Sequence, residues 1–407
     1  MAAPRRTYDL YGEAFKRDPQ PTFAAMRRDA PIYQQPGLDG ATPIWFVTRY
    51  QDVEAMLRDK RFVRDAKNAL PPEALPTPHP IDALIGQHML NRDGADHQRL
   101  RALVSQAFTP KRVADLRPRV EAIAHGLLEP LVARGEMDLI DGFAFPLPTI
   151  VILELLGVPV EDRDRFRVWG NALISPAMTP EAQAEALRQL NEFTGYLRSL
   201  FAERRARPRD DMLSALLAAE QAGDRLSEGE LFSTMVLLIV AGHETTVNLI
   251  ANAVLALSQR PELRDALAAD PSRMPAAVEE FLRFDGPVER TFNRWAAEDV
   301  PWGEHLIRRG DAIIFVIGSA NHDEARFERP HELDVDRAPN PHMAFGKGPH
   351  YCLGAPLARL EGEVALNALL ARLPKLRLAV PESELRYRFL PTFRALEALP
   401  VRWDVPL

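Results

Sequence analysis

The sequence predicts a mainly α-helical chain with a minor β-sheet. Three observations carry this. Apolar residues recur at helical spacing over much of the chain, strand-like runs are few and short, and no linker separates two halves. The helical patterns cover Pro21–Arg28, Tyr50–Arg58, Ala95–Phe108, Val113–Arg134, Pro180–Arg205, Glu228–Ser258 and Pro356–Arg372. Strand-like pieces are Ile44–Val47, Thr291–Ala296, Ala312–Val316 and Leu376–Ala379, and Ala325–Ala344 reads as Pro- and Asp-rich coil. A length of 407 residues alone points to two or three domains. With no linker, the expectation is one domain spanning residues 1–407. The segment from Ala69 to Pro80 holds too many prolines for a helix interior or a central strand, so it is a loop.

Composition narrows the function classes. The formal net charge of -7 argues against a general nucleic-acid binder. A single cysteine, Cys352, forbids an intrachain disulfide. The arginines near Met1 are followed by no apolar stretch, so no secretory signal is expected. The longest apolar runs, near Val151–Leu156 and Met235–Ala241, are too short to cross a bilayer. The expectation is a cytoplasmic protein with no membrane attachment.

Cys352 lies in Phe345-Gly346-Lys347-Gly348-Pro349-His350-Tyr351-Cys352-Leu353-Gly354. Gly346 and Gly348 let the backbone turn where a side chain would clash. Pro356 falls near the first position of the helix marked by Leu357, Leu360 and Val364. Cys352 therefore stands at a helix N-terminus, where unpaired N–H groups and the helix dipole favour a thiolate. A lone cysteine is ordinarily a small buried hydrophobe. A thiolate on a Gly-rich turn is instead what a soft metal needs, and one such sulfur serves as the axial ligand of haem iron. The decapeptide resembles the haem-binding loop of the cytochrome P-450 family at every position that loop specifies, and the resemblance extends over nearly the whole chain. It implies a triangular, mainly helical fold. Haem b would lie between a long distal helix and the helix after the cysteine, with Cys352 on the iron and Phe345, Gly346 and Gly354 binding the cofactor as parts of the loop.

Ala241-Gly242-His243-Glu244-Thr245-Thr246 interrupts an otherwise apolar helix. Buried polar groups there need partners, and a Gly followed by Thr can loosen the backbone ladder. The sequence resembles the family's signature on the distal helix. The resemblance implies that Thr245 hydrogen-bonds bound oxygen and Glu244 helps relay protons. His243 reads as a solvated or packed histidine.

Glu280 and Arg283 share one helix face at i and i+3. On its own this pair is a common surface feature. By order and distance to Cys352 it resembles the family's Glu-x-x-Arg pair, which implies a buried structural cluster completed by Arg337. His97 and Arg101, at i and i+4, match the family's propionate-binding helix, and Arg294 and His350 complete that set by resemblance. Haem propionates are carboxylates that need several such donors.

A small hydrophobic substrate is expected, since small-molecule sites are largely apolar. By position in the family pattern the pocket draws on the Asn68–Leu90 loop, Trp169–Met178, Val240 and Ala241, with Pro287–Phe292 and Leu390–Ala395 closing it. Val288, Thr291, Phe292 and Phe393 are candidate contacts. Glu289 and Arg290 either orient a polar substrate group or face solvent. The resemblance also implies molecular oxygen as co-substrate and a ferredoxin or flavodoxin with an NAD(P)H-dependent reductase as electron source. The chain has neither a dinucleotide Gly motif after a strand nor a ferredoxin cysteine set, so no reductase or ferredoxin domain is fused to it. Arg99, Lys111, Arg112, Lys347 and Arg359 form either a docking face for an acidic partner or a solvated charged face. The family default is a monomer. Two other readings stand beside the monooxygenase: a peroxide-using peroxygenase, and a non-catalytic haem-thiolate protein that binds a ligand or gas. The Glu244–Thr245 pair weighs against both.

Overall fold

The computed structural model describes residues 7–75, 85–105, 108–221 and 226–405. Residues 76–84, part of the Pro-rich segment and of the expected Asn68–Leu90 substrate loop, lie outside the described residues. The strands are β1 (Ile32–Pro36), β2 (Pro43–Val47), β3 (Phe62–Val63), β4 (Glu136–Asp138), β5 (Arg294–Ala296), β6 (Val300–Trp302), β7 (His305–Ile307), β8 (Ala312–Phe315), β9 (Arg377–Leu378) and β10 (Pro400–Arg402). The backbone groups into two compact units. One comprises Met1–Leu75, Glu279–Cys352 and Arg386–Glu397; the other comprises Pro76–Val278, Leu353–Leu385 and Ala398–Leu407.

The first unit is built on a five-stranded sheet in the order β1-β2-β8-β5-β3. Only the β2–β8 pairing is parallel, with Ile44 opposite Ala312 and Val47 opposite Phe315. Successive strand residues point to opposite faces, and here both faces are covered. Ile313 and Phe315 join one apolar cluster with Val53 and Met56 of the Tyr50–Arg58 helix. Ala312 and Ile314 join the other, with Phe15, Phe23 and Met26. That double burial explains the continuous apolar run Ala312-Ile313-Ile314-Phe315.

The second unit is helical apart from the small β4-β10-β9 sheet. The Glu228–Ser258 helix opens with a capping box. Ser227 Oγ accepts from Glu230 N at 3.2 Å, and Glu230 Oε2 accepts from Ser227 N at 2.8 Å. The helix packs against Pro146–Leu156 and Ala355–Arg372, both largely buried.

Three expectations change. The helix expected over Val113–Arg134 is divided into Pro110–Asp115, Arg117–Leu128 and a 3-10 turn at Val132–Arg134. Pro118 has no N–H to continue the first helix and falls in the opening turn of the next, and Pro130 follows the second. Helices at Arg163–Ile174, Met212–Gln221 and Pro261–Ala269 add to those expected. The Glu228–Ser258 helix also exceeds its apolar run. By length and a mean hydropathy of 1.4 it could span a bilayer, because Gly242 to Thr246 interrupts the run with a single charge. Of that stretch, 72% is buried inside the protein, which is the signature of a core helix.

Candidate functional site

The loop from Phe345 to Cys352 belongs to the first unit, and the second resumes at Leu353. Gly346 and Gly348 have φ of 70° and 71°, the left-handed region that glycine enters without strain. At Gly348 a Cβ would also come within 2.8 Å of the Leu57 carbonyl oxygen, so a helix backbone occupies the space a side chain would need. Cys352 N donates to Phe345 O at 2.9 Å and closes the turn. The thiol is exposed, three residues before the start of the Ala355–Arg372 helix. Gly354 is the N-cap of that helix and accepts from Ala358 N at 2.9 Å. His350 sits half-buried on a single 3-10 turn, Gly348–His350. Arg294 on β5 is buried and donates through Nη1 to Phe62 O at 3.0 Å.

The expected cluster behind this loop is formed. Glu280 accepts from Arg283 Nε at 2.8 Å and Nη2 at 2.7 Å, and from Arg337 Nε at 3.3 Å. Asp334 N and Asn340 Nδ2 add bonds of 2.9 and 3.1 Å. Arg283 Nη1 reaches Asn321 O and Pro330 O, and Nη2 reaches Glu332 O, so the coil from 321 to 332 is pinned to one guanidinium.

The same unit contains a cavity of about 510 Å³. Its lining includes Arg64, Arg290, Thr291, Phe292, Pro391 and Thr392. The structure thus joins the two segments expected to close a substrate pocket. Val288 and Phe393 face each other in a β-bridge instead, and Phe393 is buried with its ring 6.3 Å from that of Phe292. Its neighbours Pro391 and Thr392 line this cavity. Glu289 and Arg290 do not face solvent. At 2% and 1% exposed they pair with each other at 3.0 Å, and Glu289 also pairs with Lys16. Arg64 and Lys16 were missed by sequence reasoning, because their partners are 229 and at least 273 residues away.

In the second unit, every residue of the long helix from Leu231 to Leu257 is buried except Leu237, Val240, Ala241, Gly242 and Thr245. These recur at three- and four-residue spacing, a narrow accessible stripe on a core helix. Helical periodicity from Ala241 back to Leu237 would have found the fifth member of the stripe. The helix runs unbroken, and Thr245 Oγ1 donates to Ala241 O at 3.1 Å. Gly242 has a packing reason: a Cβ would stand 2.6 Å from Ile152 Cγ1 on the neighbouring helix. His243 is packed, with Nδ1 2.7 Å from Ile239 O and its ring edge-on to Phe145. Glu244 is buried, and Asn248 Nδ2 donates to its carbonyl at 2.8 Å and contacts its carboxylate at 3.5 Å. On the Gly94–Ser105 helix His97 is buried and Arg101 half-buried.

The donors of each unit suit haem b by their chemistry. In the first, an accessible sulfur on a turn suits the iron, and Arg294 and His350 suit propionates; in the second, His97 and Arg101 suit propionates, and the accessible apolar stripe ends in a hydroxyl.

The family model described as cytochrome P450 matches residues 166–377. The polyketide biosynthesis cytochrome P450 PksS of Bacillus subtilis is 45% identical, over 96% of this chain and 97% of its own. The cytochrome P450 monooxygenase PikC of Streptomyces venezuelae is 42% identical, over 96% and 92%. The crystal structure of the myxobacterial cytochrome P450 CYP267B1 in complex with myristic acid superposes with a TM-score of 0.93 at 41% identity, covering 98% of this chain and 100% of that one. This chain belongs to the cytochrome P450 family, the haem b-binding monooxygenases.

Proposed function

We propose that this protein uses molecular oxygen to hydroxylate or epoxidise a small hydrophobic organic substrate, with electrons from a separate ferredoxin or flavodoxin and its NAD(P)H-dependent reductase. The observation that carries the reading is the accessible stripe on the Glu228–Ser258 helix, four apolar residues leading to the Thr245 hydroxyl. Haem b, when bound, supplies a redox-active iron at which oxygen is reduced. Cys352 would hold that iron as a thiolate. His97, Arg101, Arg294 and His350 would bind the propionates. Thr245 Oγ1, which rests on Ala241 O, would hold a proton for the bound oxygen, and Glu244 would supply protons to Thr245. Leu237, Val240 and Ala241 in the second unit, and Thr291 and Phe292 in the first, would each offer the substrate a surface that excludes water. The names of the relatives support an apolar or amphipathic substrate: polyketide biosynthesis for one, bound myristic acid for another.

In this reading residues 1–407 work as one catalytic domain, supported by the five passages of the chain between the two units. In this reading the protein is a cytoplasmic monomer; the acidic balance supports its leaving nucleic acid alone, and the burial of the long helix its leaving the membrane alone. Lys111 and Arg112 are exposed and Lys347 and Arg359 half-buried, which suits docking of an acidic partner. Arg99 is the least available of the five, held by Glu230 at 2.5 Å.

The test is the visible spectrum of the dithionite-reduced protein with carbon monoxide. The red-shifted Soret band of thiolate-ligated haem is expected, lost in Cys352→Ala. In Thr245→Ala haem is retained while electrons are diverted to peroxide. A Cys352→Ala protein with an unchanged carbonyl spectrum, or a fully coupled Thr245→Ala enzyme, refutes the roles assigned here.

A further inference from the structure

Two extended segments of the first unit carry one wall of the cavity, and they are laddered together. Glu289 N and Arg290 N both donate to Thr392 O, at 2.9 and 3.3 Å, and Arg394 N donates to Pro287 O at 3.0 Å, around the Val288–Phe393 bridge. Lys16, on the short Glu13–Arg17 helix, joins the same two segments through one atom. Its Nζ donates to Glu289 Oε1 at 3.3 Å and to Phe393 O at 3.2 Å. The stitching is reciprocal. Arg394 donates to Lys16 O and to Arg17 O, and Arg290 Nη2 donates to Leu10 O at 2.7 Å.

Lys16 is 3% exposed, an unusual place for an ammonium group. Apolar packing alone would be met better by Met or Leu, which carry no desolvation cost. What an ammonium adds is several donors radiating from one point, which lets it hold a carboxylate of one segment and a carbonyl of the other at once.

We propose that Lys16 is a positioning residue for the cavity: its ammonium clamps Glu289 to the carbonyl of Phe393, fixes the spacing of the two segments that form the wall, and loosens that wall when its charge is lost. The proposal rests on the reading that this cavity admits the substrate. Charge loss is within ordinary reach. Burial pulls the Lys16 amine down to about 8, helped by the neighbouring cations Arg290 and Arg394 and opposed by Glu289. The other titratable groups around it are Asp285, held by Arg394 at 2.5 Å, Tyr387, which accepts from Arg394 at 3.0 Å, and Tyr11 beneath the Arg290 guanidinium. A neutral amine still donates, but without the charge that makes such bonds strong.

The experiment compares haem-loaded wild type, Lys16→Arg and Lys16→Met at pH 7 and pH 9. Hydrogen exchange is read on peptides covering residues 287–293 and 390–395 and corrected for intrinsic rates. Optical titrations use two nitrogen ligands of haem iron, small imidazole and bulky 4-phenylimidazole. A charge-assisted bond sets the expected scale at about ten-fold. Wild type at pH 9, and Lys16→Met at both values, should exchange about ten-fold faster in both segments and bind 4-phenylimidazole about ten-fold more weakly. Imidazole affinity should hold, and Lys16→Arg should stay protected at both values. Unchanged protection in Lys16→Met, or corrected wild-type exchange that is flat from pH 7 to 9, overturns the clamp. If Lys16→Met does not fold, the pH comparison of wild type with Lys16→Arg decides alone. Faster exchange with unchanged 4-phenylimidazole binding overturns the link to the cavity, and a Soret band that ignores imidazole overturns the haem reading itself.

Discussion

Replacing Glu280 by Gln probes the support behind the cysteine loop. The side chains of Glu280 and Arg283 are 1% and 0% exposed. Glu280 takes bonds from two atoms of Arg283, from Arg337, from Asp334 N and from Asn340, all directed at two carboxylate oxygens. Gln keeps the shape but turns one acceptor into an NH2 donor facing donors, and it removes the buried countercharge that Glu280 supplies to Arg283. Breaking one side of a buried ion pair costs about 3–5 kcal/mol. Arg283 keeps three carbonyl partners at Asn321, Pro330 and Glu332, which places the expected loss near the low end, about 3 kcal/mol. The consequence is directional. Asn321 Oδ1 accepts from Met343 N, two residues before Phe345, so slack in the pinned coil reaches the Cys352 turn. The assay is urea unfolding together with the reduced carbonyl spectrum. Lower stability with a growing short-wavelength carbonyl band is expected. Glu332→Gln, which breaks the exposed pair with Arg329, serves as control and should cost under about 1 kcal/mol. A Glu280→Gln loss no larger than the control's refutes the reasoning.

Gly348→Ala forces a left-handed φ on alanine and drives its Cβ against Leu57 O, so a loss of about 1–3 kcal/mol and reduced haem retention are expected. Gly354→Ala, with φ of -80° and nothing within 4 Å, should match wild type in both measurements. Glu361 on the Ala355–Arg372 helix is fully buried and neither carboxyl oxygen makes a well-formed bond, so burial holds its acid well above the usual carboxylate range, tempered by the Thr246 hydroxyl. Glu361→Gln should therefore unfold at the same or higher urea concentration at pH 7, and a clear loss there would contradict a neutral Glu361. Lys16→Met should likewise unfold no more easily than wild type at pH 7, although its cavity wall is looser, which differential scanning calorimetry beside hydrogen exchange would show.

Legibility in the sequence followed the range of each contact. The Cys352 turn is contiguous and Glu280–Arg283 is a single helical turn, so both were readable as motifs. The stripe Val240, Ala241, Thr245 follows from helical spacing. Lys16 and Arg64 look like ordinary basic residues because their partners arrive from hundreds of residues away. That Pro391 and Thr392 line the cavity was not legible. In extended chain a shift of one reverses the face, and the sequence offers no alternation long enough to set the parity of residues 390–395. The error at Val113–Arg134 is of another kind. The apolar period continues through Pro118, and the missing N–H outweighs it.

Lys16 and Glu361 point to a common logic, worked through proton linkage. The acid of Glu361 is raised in the folded chain, so from about pH 4.5 upward the unfolded chain releases a proton that the folded chain keeps, and stability falls as pH rises. Lys16 is lowered, so between about 8 and 10.5 the unfolded chain holds the extra proton, and stability rises with pH. Below 8 the folded chain carries the full cost of the buried ammonium, roughly 3 kcal/mol for a displacement from 10.5 to about 8. Both groups therefore weaken the fold at neutral pH, and both could be replaced by apolar or amide side chains that would not. Stability alone does not account for either. Lys16 lies behind the ladder that lines the cavity, and Glu361 lies against Thr246, the neighbour of Thr245. In each unit, then, the costly group stands directly behind a segment to which the chemistry has been assigned, as expected when stability is given up to hold a working geometry.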